Sequence, residues 1–265
     1  MIRPRLSKVV SGTRLTTDLV NGIINRTEYA ANLLRQYKLT AGNEMYIEPH
    51  YDGTRVSFLT PVGGGSGDSA VELSKKNAFF IGIAAATGGA VAIQTVDSFT
   101  INDDPAYISQ ILGTATFLGG TSYSLTQNAN NQVGVIWNEN RVFGGFFNVS
   151  FNYQIGGSSA ADGFSLIFCP TYFLAAAGGG LGYEGAPSNS VAIEIDIFKN
   201  PSDPDNSHIA VLKGGNVNDH LALSSVTVRP GGNLSVSYGQ KTLRVFHNGN
   251  LIITYPIDLI SIIGE

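Results

Sequence analysis

Past the run Pro61-Val-Gly-Gly-Gly-Ser-Gly67, nearly the whole sequence repeats one local pattern. A short stretch rich in Phe, Val, Ile, Tyr and Thr is followed by a turn of Gly, Asn, Asp or Ser. Phe79–Thr87, Ala92–Ile101, Ser122–Thr126, Gln132–Trp137, Gly145–Ile155 and Phe164–Cys169 are examples. Val191–Phe198, His208–Leu212, Leu234–Tyr238, Thr242–His247 and Leu251–Tyr255 continue the series. Many short strands with no helical period between them predict an all-β sandwich or barrel. Pro256–Ile263 reads as a final turn. Of 265 residues, 43% are hydrophobic and 32 are glycine, enough for a sizeable core with many tight turns.

The front of the chain reads differently. Residues 1–60 form an expected arm for anchoring or oligomerisation, and 61–69 a glycine-rich linker. Thr16-Thr17-Asp18 is a helix N-cap cluster. Val20, Ile23, Thr27, Ala30, Leu34 and Tyr37 follow at alternating spacings of three and four, which predicts an α-helix over about 17–37. So short a seam needs a partner, either its own domain or neighbouring subunits. Met45–Leu59 predicts one or two short strands about Asp52-Gly53, a hairpin-turn pair.

Composition narrows the function classes. A net charge of −4 offers no basic field for nucleic acid. The single cysteine, Cys169, excludes an intrachain disulfide framework and a cysteine-based zinc cluster. No signal-peptide pattern and no apolar run of about 18 residues is present, so neither secretion nor a membrane partner is expected. No segment follows the strand–Gly-x-x-x-x-Gly-Lys-Ser/Thr pattern of a phosphate-cradling loop.

The stretch Val191–Ile209 carries the densest chemistry. Strand alternation puts Glu194, Asp196 and Phe198 on one face. Two carboxylates side by side repel unless a positive charge lies between them. Asn200, Asp203 and His208 follow in a proline-bearing loop able to curl back over that face. The oxygens suit a hard divalent cation, and the imidazole suits a transition metal. Asp205 is a rival ligand, and alternation points Lys199 away. Read without context, the same stretch is a half-buried strand and a solvated acidic turn. His50, His220 and His247 read as surface or strand residues, and Trp137 as core or edge.

Several segments occur in an order that resembles the legume-type (L-type) lectin family. They are Phe146–Ile155, Ala161-Asp162-Gly163-Phe164, Gly178–Gly182 and Val191–Ile209. Leu234–Tyr238, Leu243–His247 and Ile257-Asp258-Leu259 continue the likeness. The strands with which such a lectin closes have counterparts near the front, at Phe80–Gly89 and Val96–Phe99. The resemblance therefore implies a circularly permuted domain over 70–265 with a concanavalin A-like jelly-roll sandwich. It implies a transition-metal ion, manganese or another, on Glu194, Asp196, Asp203 and His208. It implies calcium on Asp196, the Phe198 carbonyl, Asn200 and Asp203.

A sugar would then be held by Asp162, Asn200 and a backbone N–H of Gly179 or Gly180. Phe198 would be the stacking face, and Gly89 and Ala90 would lie in the loop that tunes specificity. Tyr46–Val56 resembles N-terminal segments of bacteriophage structural proteins. The expectation is a non-enzymatic, carbohydrate-binding virion protein, a fibre, tail or capsid-decoration component, that recognises host surface glycans, oligomerises, and meets other virion proteins through its arm. A purely structural virion protein is the alternative. The same sandwich also hosts glycoside hydrolases with a Glu-x-Asp-x-(x)-Glu strand, but here Phe198 and Lys199 stand where the second Glu belongs.

Overall fold

The computed structural model describes residues 44–50, 53–59, 70–71, 78–143, 145–157 and 161–264. The helix expected over 17–37 lies outside them. Strands β1 (Glu44–His50), β2 (Gly53–Leu59) and β3 (Ala70–Val71) form a three-stranded sheet in that order. Val56 faces Val71 and Ser57 faces Ala70 across an antiparallel pair.

The residues from 78 onward form two antiparallel sheets stacked as a β-sandwich. One runs β16 (Ala222–Ser225), β15 (His208–Lys213), β14 (Val191–Asp196), β13 (Gly163–Cys169), β4 (Ala78–Ala86), β10 (Val133–Asn138) and β7 (Ile108–Gly113). In it β11 (Val142–Phe143) also pairs with β4. The other runs β19 (Asn250–Pro256), β18 (Thr242–His247), β17 (Gly231–Gly239), β12 (Phe146–Gly156), β5 (Ile93–Ile101), β9 (Ser122–Thr126) and β8 (Thr116–Gly119). There β6 (Asp104–Pro105) pairs with β5.

Alternation explains how the layers meet. In β12, Phe147, Val149, Phe151, Tyr153 and Ile155 are buried while the residues between them are more exposed. They face Ile81, Ile83, Phe164, Leu166, Phe168, Ile193 and Ile195 of the opposite sheet in one apolar cluster. Phe147 packs 5.3 Å from Phe168 and 5.5 Å from Phe79, ring centre to ring centre.

The β14 sheet is buried on its other face as well. Ala84, Trp137, Ile167, Cys169, Ala192 and Leu212 lie there beneath Tyr183 and Ala186, from the segment joining β13 to β14. That is why β13 and β14 are buried at every residue rather than at alternate ones. Trp137 is fully buried on this face. It pairs in register with Gly82, and a Cβ on Gly82 would lie 2.5 Å from the indole.

Two sequence expectations change here. The final turn is instead a short helix, α1 (Leu259–Ile263), capped by Asp258, whose side chain accepts from Ser261 N at 3.2 Å. It docks because Leu259 and Ile263 join the intersheet core. Strands β7, β8 and β16 were not foreseen. β8 is exposed at every residue, while β7 and β16 only alternate between half-buried and exposed, so none carries a strong apolar period.

The Gly82–Trp137 contact gives a direct test. Gly82→Val should cost about 1–3 kcal/mol through overpacking, read as a lower urea midpoint. Combining it with Trp137→Leu should cost less than the sum of the two single changes.

A candidate metal centre beside a buried aspartate

The outer face of β14 carries the acids because its inner face is committed to the core. Ile193 and Ile195 fill the space between the sheets, so Glu194 and Asp196 must point the other way. Both are buried, at 1% and 2% exposure. Asp203 is 7% exposed and His208 is fully buried. Antiparallel register sets Asp196 opposite His208 and Glu194 opposite Ala210, whose small side chain leaves room above it.

The loop after β14 is held by short polar turns. Asp196 Oδ1 accepts from Phe198 N at 2.6 Å, and Asp203 Oδ2 accepts from Asn200 N at 2.6 Å. Asp203 N donates to Asn200 O at 3.1 Å, closing a turn around Pro201. These bonds curl the chain so that Asp203 returns over Asp196.

Two sets of potential ligand atoms result, each within 4.8 Å of one another: Asp196, Asp203 and His208, and Glu194, His208 and His220. The first gathers the acids that calcium or a similar hard ion requires. The second was not legible in the sequence. His220 lies far along the chain, between β15 and β16, and corrects the expectation of a surface or strand residue. Its Nε2 sits 2.8 Å from Glu194 Oε1. His208 Nε2 sits 3.3 Å from that same oxygen.

Asp205, the rival ligand, lies on the other side of the His208 ring. Its Oδ1 is 3.2 Å from His208 Nδ1 and accepts from Ser207 N at 2.9 Å, and its Oδ2 accepts from the Ser225 hydroxyl. It orients the imidazole instead of joining the cluster. Lys199 donates to Pro204 O at 3.3 Å and so turns toward the loop, not the acids.

The expected sugar-site residues fall around Asp162. It is 5% exposed, and its Oδ2 has no hydrogen-bond partner. Asp162 N donates to Ala86 O at 2.9 Å, and its carbonyl accepts from Ile197 N at 3.1 Å. Gly163, at φ +145°, lies so close to Ile195 that a Cβ would meet the Ile195 carbonyl oxygen at 2.1 Å. Asp162-Gly163 is therefore the entry to a central strand, not a surface turn.

Gly88 and Gly178 close over the carboxylate: Gly178 N donates to Thr87 O at 3.1 Å, and a Cβ on Gly88 would lie 3.2 Å from Asp162 Oδ2. Gly179 lies against the Asn200 amide, where a Cβ would be 2.9 Å from Oδ1. Gly180 instead faces Glu184 and accepts from Glu184 N at 2.9 Å. Gly89 is exposed and accepts from Asn130 Nδ2 at 2.9 Å, and Ala90 is half-buried beside it. The Phe198 ring is 38% exposed, unlike the acids before it.

Burial dominates the electrostatics. It lifts Asp196 to about 8, helped by Asp203 and Glu194 and opposed by the Phe198 amide and His208. It lifts Asp162 to about 6 against the Gly88 amide. Burial pushes His208 down, but Glu194, Asp196 and Asp205 outweigh it and its pKa is raised. His220 is raised by Glu194 first, against burial.

All of these upward shifts favour the protonated folded state. In chelator-treated protein, these four groups therefore hold more protons in the folded chain than in the unfolded chain between about pH 4 and 8, with buried His247 opposing them in part. Stability should fall as pH rises through this window. Added divalent ion should reverse the trend, because it needs the groups deprotonated. Thermal unfolding from pH 5.5 to 8.5, with chelator and then with calcium and manganese, reads both slopes. Asp196→Asn should flatten the first.

No protein-family model matches the chain, and no curated protein matches it.

Proposed function

We propose that the chain is a non-enzymatic, metal-dependent carbohydrate-binding protein whose sandwich is of the concanavalin A-like, legume-type lectin kind, permuted in strand order. The observation that carries this reading is Asp162. A buried carboxylate oxygen without a donor is costly unless something supplies one. Around it stand Gly88, Gly178 and Gly179, with the Asn200 amide against Gly179. Phe198, on the Asn200 loop, is the exposed ring in an otherwise buried stretch. A pyranose offers what this arrangement lacks: adjacent hydroxyl donors and an apolar ring face. Gly88 and the Gly178 turn shield Oδ2, so a hydroxyl reaches it as these two loops part.

The donor set fits two adjacent cations. Asp196, Asp203, the Asn200 side chain and the Phe198 carbonyl would hold calcium, and Glu194, Asp196, Asp203 and His208 a transition metal such as manganese. Such ions supply positive charge that neutralises the acids and fixes the loop. The protein's own groups do the recognition. Asp162 accepts from sugar hydroxyls, Asn200 and the Gly179 N–H donate, Phe198 stacks, and Gly89 and Ala90 border the sugar. Groups ordered beforehand lose little entropy on binding.

Placement of β4 and β5 in the middle of their sheets, with α1 packed beside β4, supports the permuted order. Hydrolysis is disfavoured by Glu194, which is buried between imidazoles, and by Phe198 and Lys199, which replace a second acid. The resemblance of Tyr46–Val56 to phage structural proteins supports a virion protein anchored by residues 1–60 that presents its sandwich to host glycans. Among the described residues no helix is long and apolar enough to cross a membrane.

Glycan-array binding with calcium and manganese supplied tests the reading. Chelator should abolish the signal. Asp162→Ala should weaken it by roughly tenfold to a hundredfold, the loss of one or two hydrogen bonds to a charged acceptor, without lowering the unfolding midpoint. Absence of any sugar binding would leave the structural virion role, and cleavage of β-glucans would restore the hydrolase.

A further inference from the structure

We propose that His220, in place of Asp196 and Asp203, completes the ligand set of the transition-metal ion on Glu194 and His208, making that position a two-histidine, one-carboxylate centre selective for zinc or cobalt over manganese. The inference rests on the metal-holding part of the proposed function and not on sugar binding.

The first argument is convergence. His208 and His220 approach one carboxylate oxygen, Glu194 Oε1, with their Nε2 atoms at 3.3 and 2.8 Å. Their rings stand at 77° with centres 5.3 Å apart, so the two nitrogens arrive from different directions. Ligand atoms sharing one ion at bonds of about 2.0–2.2 Å lie roughly 2.8–3.6 Å apart, between right-angled and tetrahedral geometry. Both contacts fall in that range.

The second argument is that the His220 contact is poorly aligned for a hydrogen bond. Its Nε2 is buried and has no partner of acceptable geometry, although Oε1 is close. A proton needs the N–H to aim at the oxygen. An ion needs the two lone pairs to aim at a third point. The off-line 2.8 Å approach fits the second requirement.

An independent observation points to the same place. Ser165 stands directly opposite Glu194 across the β13–β14 pair, hence on the same sheet face. It is fully buried, and its Oγ has no hydrogen-bond partner. A water completing the ion's shell would satisfy it, as in three-ligand sites that keep one position for water. The outer partner is also in place. Asp205 Oδ1 lies 3.2 Å from His208 Nδ1, which fixes that ring with Nε2 toward Glu194.

A cation would also balance the charge here. Glu194, Asp196 and Asp203 are all buried, and among the described residues the cationic groups touching them are imidazoles. Protonating both histidines would set two like charges against each other. A divalent ion neutralises the acids without that repulsion. Two imidazoles and one carboxylate rank zinc, cobalt and nickel above manganese, whereas the oxygen-rich Asp196–Asp203 side keeps its preference for calcium. His208 and Glu194 are buried and His220 nearly so, so the ion would be structural.

The test uses the full chain, stripped with chelator and titrated separately with zinc, cobalt, manganese and calcium, with bound metal counted by elemental mass spectrometry. Zinc should bind more tightly than manganese by at least a hundredfold. His220→Ala and the similar-sized His220→Gln should each lower zinc affinity by tenfold or more and leave calcium binding unchanged. The visible spectrum of the cobalt form should change in both variants. Wild-type zinc affinity and an unchanged cobalt spectrum in both variants would overturn the inference. If the wild type binds none of the four ions, the inference and the metal part of the proposed function fall together. Zinc held through His220 without any glycan signal would sustain the inference and sink the sugar reading alone.

Discussion

Everything at the site depends on one packing problem, the burial of Glu194, Asp196 and Asp203 against His208 on the outer face of a central strand. Carboxylates removed from water lose several kcal/mol of hydration each unless a partner compensates. Burial is the main reason Asp196 rises to about 8, and repulsion from Asp203 and Glu194 adds to it. The fold cannot relieve this by turning the strand. A one-residue slip of β14 would drive Glu194 and Asp196 into the intersheet core and expel Ile193 and Ile195. The hydrophobic core thus holds the acids in a position that electrostatics alone would reject.

The segment between β13 and β14 makes the burial complete. It crosses the outer face of the sheet, sets Tyr183 and Ala186 on Ala192 and Leu212, and brings Gly179 against Asn200. Each close approach relies on a missing side chain or a small one. Gly163 lets β13 enter beside Ile195, and Gly82 admits the Trp137 ring. Much of the glycine content serves such contacts as well as turns.

The central strands were legible in the sequence because they are apolar on both faces or alternate cleanly. β9 and β18 match their expected spans, and β12 and β13 differ by a residue or so at their ends. The edge strands β7, β8 and β16 were not, although the edge strand β19 was. β8 is exposed throughout, so nothing in its composition distinguishes it from loop. Asp196, Asp203 and His208 were legible as a group because a strand and one turn bring them together. His220 was not, because its approach to Glu194 depends on the path of the loop after β15. Leu221 N donating to Val211 O at 2.9 Å directs that loop back along the sheet. No local spacing encodes such a return. Asp205 looked like a ligand for the converse reason: proximity in sequence does not tell which side of an imidazole a carboxylate will occupy.

The aspartate pocket and the acidic cluster are mechanically joined. Gly163 pairs with Asp196, and Ile197 N donates to the Asp162 carbonyl at 3.1 Å, so Asp162 and the end of β14 share one stretch of ladder. On the far side, Asn200 meets Gly179, and Gly178 is tied to Thr87. A change in the charge between Asp196 and Asp203 therefore acts on the pocket by two routes. The ladder is stiff and will hold Asp162 in place. The Asn200 turn rests on side-chain-to-backbone bonds to Asp196 and Asp203, the same carboxylates a cation would draw upon. In the proposed function, ion binding then acts mainly on Asn200, Phe198 and Gly179. Asp162 stays a fixed acceptor, and the loop facing it sets how well the sugar is enclosed.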